Sequence, residues 1–246
     1  MNPCVLVVKC FCMPIAENIA AIREQIERAA ARAHRKPDEV ALMAVTKTHP
    51  PERIREAYDA GLRLFGENRV QEFAGKASAL SDLERSEWHM IGHLQTNKAT
   101  RAAELFTAVD SVDSLKLADK LNASARALNE TLQVLIEINV GGEAAKSGVA
   151  LGSPDLEDLL KAAPGLESLR FQGLMTVPPY TEDPEGSRPY FRKLLTLRDQ
   201  IAARKLRAIS MEVLSMGMSH DFEVAIEEGS TCVRIGTAIF GARPKT

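Results

Sequence analysis

A lysine at the end of an apolar run is the residue of this chain best placed to do covalent chemistry. Residues 40–45 are apolar and too few for a helix, so they predict a short buried strand, and Lys47 follows that strand almost directly. Apolar neighbours would partly desolvate the Lys47 ammonium and favour the neutral amine, which can form a Schiff base with an aldehyde. The alternative is a lysine whose stem packs on the strand end while its ammonium stays in water.

Two loops late in the chain have the composition of a phosphate site. Residues 215–219 read Ser-Met-Gly-Met-Ser, and Gly236-Thr237 follows an apolar segment near the C-terminus. Glycine lets a backbone approach an anion closely, while hydroxyls and backbone amides can donate hydrogen bonds to it. Taken alone, either loop is better explained as an ordinary tight turn. Two such loops after consecutive predicted strands favour a phosphate site that includes Ser215, Gly236 and Thr237.

Arg234 precedes the second of these loops within a predicted strand. It alternates with Val233 and Ile235, so its side chain is expected to point into the site. A guanidinium stays protonated, and one that faced a pyridine nitrogen would keep that nitrogen unprotonated. A structural ion pair with Glu212 or Asp221 is an equally good explanation of Arg234 at this level.

The remaining polar motifs predict little chemistry. His89 lies inside a predicted strand and is expected to be a packed core histidine, and the histidines in loops have no partner that defines a triad. The segment Asp110–Asp113 is expected to cap the helix that begins at Ser114. No Ser-His-Asp spacing, Walker-type loop or carboxylate cluster for Mg²⁺ occurs in the sequence.

The elements that must position these residues alternate along the chain. A run rich in Ala, Glu and Arg from Ile15 to Arg35 predicts an N-terminal helix. Apolar segments then predict strands at residues 40–46, 62–65, 87–91, 105–109, 132–139, 168–173, 210–214 and 231–235. Amphipathic segments between them predict helices at residues 51–60, 68–80, 96–103, 114–128, 154–162, 185–204 and 218–228.

Strict alternation of strands and helices indicates a parallel sheet with helical crossovers. Eight such units in roughly 200 residues favour a closed (β/α)8 TIM barrel, an α/β fold here with an additional N-terminal helix. The alternative is an open Rossmann or flavodoxin-like sheet, which the lack of a glycine-rich fingerprint after the first strand disfavours. In the barrel, Lys47 and both loops would lie together at the carboxyl ends of the strands.

The overall composition gives no indication of a nucleic-acid-binding or membrane-spanning protein. The chain has 246 residues, of which 45% are hydrophobic, with a net charge of −2, so nothing indicates a nucleic-acid partner. No apolar run approaches the roughly 18 residues that a membrane span needs. Three of the four cysteines fall in the first twelve residues and form no disulfide or metal pattern, so we expect the cytoplasm. Residues 1–12 are expected to be a disordered arm or a mis-assigned start, and residues 13–246 a single domain.

Seven segments in order carry a family resemblance over almost all of residues 13–243. They resemble the pyridoxal phosphate homeostasis protein family, also called the proline-synthase co-transcribed family. The matching segments are Ala44-Val-Thr-Lys47-Thr-His-Pro50, Phe65-Gly-Glu-Asn68-Arg-Val-Gln-Glu72, Trp88-His-Met-Ile-Gly-His-Leu-Gln-Thr-Asn-Lys98, Ile138-Asn-Val140 with Lys146-Ser-Gly148, Gly173-Leu-Met-Thr176, Leu214-Ser-Met-Gly-Met-Ser219 and Gly229 to Gly241.

The resemblance implies a fold like the N-terminal barrel of alanine racemase and a bound pyridoxal 5′-phosphate. It implies that Lys47 forms the Schiff base and that Arg234 lies near the pyridine nitrogen. The other cofactor-binding residues that it implies are Asn68 and Met175 at the ring, and Ser215, Gly236 and Thr237 at the phosphate.

The resemblance also implies a carrier in vitamin B6 homeostasis and not a catalyst. The chain would hold pyridoxal phosphate and deliver it to apo-enzymes, with no nucleic acid or membrane as partner. No tyrosine is an obvious base opposite Lys47, and an arginine at the ring nitrogen would weaken carbanion stabilisation. We expect a monomer, because the second racemase domain and its dimer interface lie outside this chain. The alternative is a pyridoxal-phosphate-dependent amino-acid racemase or related enzyme.

Overall fold

A computed structural model describes residues 14–143 and 146–241. Its centre is a parallel β-barrel, and the helices surround it. The strands are Ala41–Val45 (β1), Leu64–Glu67 (β2), Glu87–Met90 (β3), Ala108–Val112 (β4), Leu132–Asn139 (β5), Val149–Ala150 (β6), Leu169–Met175 (β7), Ile209–Met218 (β8) and Cys232–Ile235 (β9).

The helices follow the strands in the alternating order that the sequence predicts. They are Ile15–Arg32 (α1), Pro51–Asp59 (α2), Val70–Ala74 (α3), Ala99–Leu105 (α4), Leu115–Ala127 (α5), Pro154–Ala162 (α6), Arg188–Ala203 (α7), Phe222–Glu227 (α8) and Thr237–Phe240 (α9). Within the described residues, no helix is long and apolar enough to cross a bilayer.

Closure of the sheet makes the fold a TIM barrel. The strands pair in the order β4-β3-β2-β1-β9-β8-β7-β5, and β4 pairs again with β5. Strand β6 has two residues and pairs only with the end of β5 within the described part of the chain, so it lies outside the eight-stranded ring. The predicted (β/α)8 barrel with an N-terminal helix is confirmed.

Two separate apolar layers stabilise the barrel. Outward-facing strand residues such as Ala44 and Phe65 pack with the inner faces of the helices in one continuous core. Inward-facing residues are equally buried but lie outside that core, as a barrel interior filled by side chains requires. They include Met43, Val45, Leu135, Met175 and Cys232.

Helix caps explain why some observed elements begin later than the sequence pattern predicts. The turn after α2 places Gly61 at φ +90°, and the Leu62 amide donates to the Ala57 carbonyl at 3.1 Å. Leu62 therefore closes the helix and does not begin β2. In the same way, the Phe106 amide donates to the Ala102 carbonyl at 3.0 Å, so this residue caps α4 ahead of β4.

Two predicted helices are shorter than their hydrophobic patterns. The N-terminal helix ends at Arg32, because His34 adopts a left-handed backbone with φ +55°. The helix predicted over 68–80 divides into α3 and a 3-10 turn at Ala77–Leu80. The predicted arm at residues 1–12 lies outside the described residues.

Candidate cofactor site at the carboxyl ends of the strands

Strand register brings Lys47 next to the last loop of the barrel. Ala41 and Cys232 are register partners, and both line an interior cavity. Because side chains alternate along a strand, Arg234 in β9 faces the interior as Cys232 does. Gly236 directly follows β9, and Lys47 lies in the turn that follows β1. Lys47 is half-buried there, just beyond the level of Gly236.

Arg234 is a buried cation that bonds to neutral acceptors. Its Nη1 donates to Ser215 Oγ at 2.7 Å, and its Nη2 donates to the Thr176 carbonyl at 2.7 Å. Burial lowers the pKa of the Arg234 guanidinium, because the charged form loses its hydration. These contacts replace the ion pair with Glu212 or Asp221 that the sequence left open, and Asp221 instead accepts from the Met218 amide at 2.7 Å.

The segment predicted as a loop at 215–219 is strand as far as Met218, because β8 continues to pair with β7 and β9 there, and its two serines differ in environment. Ser215 is fully buried beneath the loop, where its hydroxyl accepts from Arg234. Ser219 is half-buried, and its Oγ accepts from the Ala238 amide at 3.4 Å, which joins the loop after β8 to the first turn of α9. Ser219, which the sequence analysis did not select, therefore lies beside Thr237 at the rim of the barrel.

One glycine of this region is required by close packing, and a second lies beside β1. Gly217 has φ +94°, and a methyl group there would lie 3.0 Å from Phe222 Cα and 2.6 Å from Ala225 Cβ. A Cβ at Gly236 would make only an ordinary contact, 3.4 Å from Val45 Cβ at the end of β1. The loops thus present their backbone close to Lys47, which is what a contact through amides requires.

Asn68 and Glu137 line the opposite side of the barrel mouth. Both belong to a cleft of about 340 Å³. The Asn68 Oδ1 and Glu137 Oε2 atoms are buried and have no hydrogen-bond partner within the described residues. The other Glu137 oxygen accepts from Ser147 Oγ at 2.9 Å, and burial raises the pKa of the carboxyl group. Buried acceptors without a partner are the atoms that a ligand's donors would satisfy.

Met175 and Gly92 complete this side of the mouth. Met175 is fully buried and stands level with Glu137 on β5 and Ser215 on β8. A Cβ at Gly92 would lie 2.4 Å from the Asn68 carbonyl oxygen, so only glycine allows the loop after β3 to pack on Asn68. All seven predicted cofactor residues lie at or near the carboxyl ends of barrel strands: Lys47, Asn68, Met175, Ser215, Arg234, Gly236 and Thr237.

His89 belongs to the opposite end of the barrel. Its Nδ1 lies 3.0 Å from Asp110 Oδ1, inside an interior cavity of about 180 Å³ that also includes Cys232. Burial is the largest influence and opposes the imidazolium, but the charge and hydrogen bond of Asp110, together with the Glu87 charge, raise the pKa of His89 overall. Burial also raises the pKa of the Cys232 thiol to about 12. Asp110 is thus a partner of His89, and Ser114 itself caps α5 by accepting from the Leu117 amide.

In the described part of the chain, no group of three or more His, Cys, Asp or Glu side chains could hold a metal ion.

The sequence analysis also did not select Glu137 and Lys76, which are buried charged residues near the mouth. Both occur in segments with ordinary strand or helix patterns, so only their burial distinguishes them.

Comparison with known proteins agrees with this geometry. The family model described as "Alanine racemase, N-terminal domain" matches residues 18–244. A pyridoxal phosphate homeostasis protein of Aquifex aeolicus (strain VF5) is 48% identical over 231 residues, which cover 94% of this chain and 99% of that protein. The protein of the same name from Escherichia coli (strain K12) is 44% identical over 234 residues, covering 93% and 97%.

Solved structures show the same barrel. PipY of Synechococcus elongatus PCC7942, with pyridoxal phosphate bound, superposes with a TM-score of 0.80 at 36% identity, covering 92% of this chain and all (100%) of that one. Alanine racemase of Streptomyces coelicolor A3(2) superposes with a TM-score of 0.67 at 23% identity, covering 92% of this chain and 59% of that one. The racemase likeness supports the fold alone.

Proposed function

This chain belongs to the pyridoxal phosphate homeostasis protein family, and we propose that it binds pyridoxal 5′-phosphate through Lys47 and serves in cellular vitamin B6 homeostasis. Names of relatives at 44% and 48% identity, and a structural relative with the cofactor bound, support the proposal. The single observation that carries it within this molecule is the buried Arg234. Its partners are neutral, and its strand β9 pairs with β1, which leads into the turn that carries Lys47.

The residues present fit a phosphorylated pyridine aldehyde. Gly236 has no side chain and lies beside β1, so backbone amides can reach a phosphate there. Thr237 and Ser219 add hydroxyls, and the contact between Ser219 and Ala238 holds the two loops together. The phosphate would therefore lie between the loops after β8 and β9.

The ring would occupy the middle of the barrel mouth. Arg234 would face the pyridine nitrogen and Met175 the ring, both from inward-facing positions. The unpartnered Oδ1 of Asn68 would accept from a polar group on the ring edge. These assignments place Lys47 on the side of the mouth where β1 ends, next to the phosphate loops.

Bound pyridoxal phosphate supplies an aldehyde that condenses with a lysine amine and releases water. The role of this chain is to anchor, orient and retain that group. A permanently charged guanidinium at the ring nitrogen disfavours protonation of the nitrogen and so weakens the ring as an electron sink. The side chain of Arg234 would therefore limit carbanion stabilisation by the ring.

The tyrosines support a carrier as well. The Tyr58 hydroxyl on α2 donates to the Glu84 carbonyl at 3.1 Å, on the outside of the barrel. Tyr180 is 79% exposed, and Tyr190 lies on α7 with Lys193 over its ring. All three have positions that do not suit a proton donor opposite Lys47 in the barrel interior.

Delivery to apo-enzymes belongs to the same proposal. A carrier of this kind would act as a monomer in the cytoplasm and give up its cofactor to enzymes that lack it. Mixing the loaded protein with an apo-enzyme that depends on pyridoxal phosphate should restore activity faster than the same concentration of free cofactor. Restoration no faster than with free cofactor would restrict the role to storage.

Reductive trapping tests the binding site directly. Borohydride reduction of the loaded protein followed by peptide mass spectrometry should place one pyridoxyl group on Lys47. The Lys47→Ala variant should lose both this label and the absorbance band at ~420 nm that a lysine Schiff base gives. Exposed Lys120 provides the matched control, and Lys120→Ala should keep both signals. A label on another lysine, or none, would disprove the assignment.

A further inference from the structure

A buried ion pair lies directly behind Lys47. Lys76 Nζ is 2.8 Å from Glu67 Oε1, and the side chains are 8% and 0% exposed. Burial raises the pKa of Glu67, although the Lys76 charge opposes the shift. Removing two charges from water costs free energy that their attraction rarely repays in full, so a buried pair is weak evidence for stability alone. The contacts of the pair indicate another role.

Lys76 binds the backbone on both sides of Lys47. Its ammonium donates to the Thr46 carbonyl at 3.0 Å and to the His49 carbonyl at 3.2 Å. Glu67 in turn accepts a hydrogen bond from the Thr46 hydroxyl. An ammonium has three N–H donors, and the Thr46 and His49 carbonyls with the Glu72 carboxylate accept all of them, while Glu67 adds the ion pair. Lys76 is therefore fully engaged as a cation and is not a second amine for an aldehyde.

Glu72 holds the middle of the same turn. Its carboxylate accepts from the Thr48 amide and lies 3.4 Å from Lys76 Nζ. Thr48 adopts a left-handed backbone with φ +65°, a conformation that a β-branched residue avoids unless its surroundings impose it. The backbone of residues 46–49 is thus held by Glu72 on α3 and by Lys76 just after α3, while Glu67 on β2 holds the Thr46 side chain.

We propose that Lys76 is a positioning residue for Lys47. By fixing the turn 46–49 on α3, Lys76 and Glu67 aim the Lys47 side chain at the place where the phosphate loops hold the aldehyde. The condensation itself needs only the Lys47 amine and the aldehyde, which form a C=N bond and release water. The inference rests on the proposed function, because it concerns the approach of Lys47 to pyridoxal phosphate.

Two ligands distinguish whether Lys76 positions Lys47 or supports the whole site. Pyridoxine 5′-phosphate has an alcohol where pyridoxal phosphate has the aldehyde, so it uses the phosphate and ring contacts without condensation. In Lys76→Met we expect its affinity to stay within twofold of wild type. The affinity for pyridoxal phosphate should fall roughly tenfold or more, because small misplacements of a reacting group have large effects. Lys120→Met is the matched exposed control and should change neither affinity.

Two further variants control for any loss of folding in Lys76→Met. Lys76→Met leaves the Glu67 carboxylate buried without its partner, so the double variant Lys76→Met/Glu67→Gln removes both charges. It should fold and show the same selective loss for the aldehyde. Lys76→Arg keeps the cation and should recover part of the affinity for pyridoxal phosphate that Lys76→Met loses.

Each outcome decides a different point. Equal loss of both ligands in the double variant would show that Lys76 supports the whole site and would overturn the proposal, as would an unchanged affinity for pyridoxal phosphate. A wild-type protein that forms no Schiff base at all would instead refute the proposed function.

Discussion

The Arg234 guanidinium and the Ser215 hydroxyl lie 2.7 Å apart in the barrel interior, with the arginine as donor. Arg234 is 3% exposed and Ser215 is 0% exposed, so neither group exchanges this contact for water. If Arg234 faces the ring nitrogen, as we propose, Ser215 lies near that nitrogen and away from the phosphate, so we expect Ser215 and Ser219 to have different roles.

Variants of the loop serines test this division. Ser219→Ala combined with Thr237→Ala should weaken retention of both pyridoxal phosphate and pyridoxine 5′-phosphate by about 1–3 kcal/mol, the typical contribution of charge-assisted hydrogen bonds. Ser215→Ala should instead act on Arg234 and shift the absorbance band while most of the affinity remains. Fluorescence titration measures the affinities. A stronger loss of affinity from Ser215→Ala than from Ser219→Ala would restore the assignment of Ser215 to the phosphate.

The racemase alternative predicts exchange of an α-proton. If Arg234 keeps the ring nitrogen unprotonated, incubation of the loaded protein with L-alanine in D₂O should give α-deuterium no faster than free pyridoxal phosphate does. Proton NMR follows the α-signal directly. Exchange well above this background, abolished by Lys47→Ala, would establish an enzyme.

The stability of the folded protein should depend on pH through Glu137. Burial raises its pKa above the ordinary value of 4.5, so the native state holds the proton more tightly than the unfolded state. The stabilisation is fully present below pH 4.5 and is lost as pH rises through the folded pKa. Glu137→Gln removes this dependence, so the variant should gain stability relative to wild type as pH increases.

Urea unfolding between pH 4 and pH 8 measures this difference. The exposed Glu130 supplies the control, and Glu130→Gln should follow the wild-type curve. A Glu137→Gln protein whose free energy of unfolding parallels wild type over the whole range would contradict the prediction.

The close packing of Gly92 on Asn68 predicts a steric defect. A Cβ there would lie 2.4 Å from the Asn68 carbonyl oxygen, and backbone cannot move aside cheaply. Gly92→Ala should therefore lower the free energy of unfolding by about 2 kcal/mol and weaken cofactor retention, because Asn68 moves. Gly165→Ala is the matched control, since nothing lies within 4 Å of the added carbon. Equal effects of the two substitutions would exclude a steric cause.

The sequence alone determined the fold class and the position of Lys47. Apolar runs too short for helices, separated by amphipathic segments, leave few arrangements other than parallel strands with helical crossovers. In a barrel of that kind the carboxyl ends of all strands meet, so Lys47, Arg234 and Gly236 could be grouped without coordinates. The element ends were less certain, because residues such as Leu62 and Phe106 have strand-like side chains but cap helices.

Only the tertiary structure decided which polar groups pair. The sequence offered Glu212 and Asp221 as partners of Arg234, whereas the side chain bonds to Ser215 and Thr176. The sequence placed Lys76 within a helix predicted over 68–80, and only the fold shows that it lies beneath the turn that carries Lys47. Local sequence patterns indicate which face of an element a side chain occupies. Hydrogen bonds, however, require the relative positions of segments far apart in the chain to within a few tenths of an ångström. Those distances exist only once the barrel has closed.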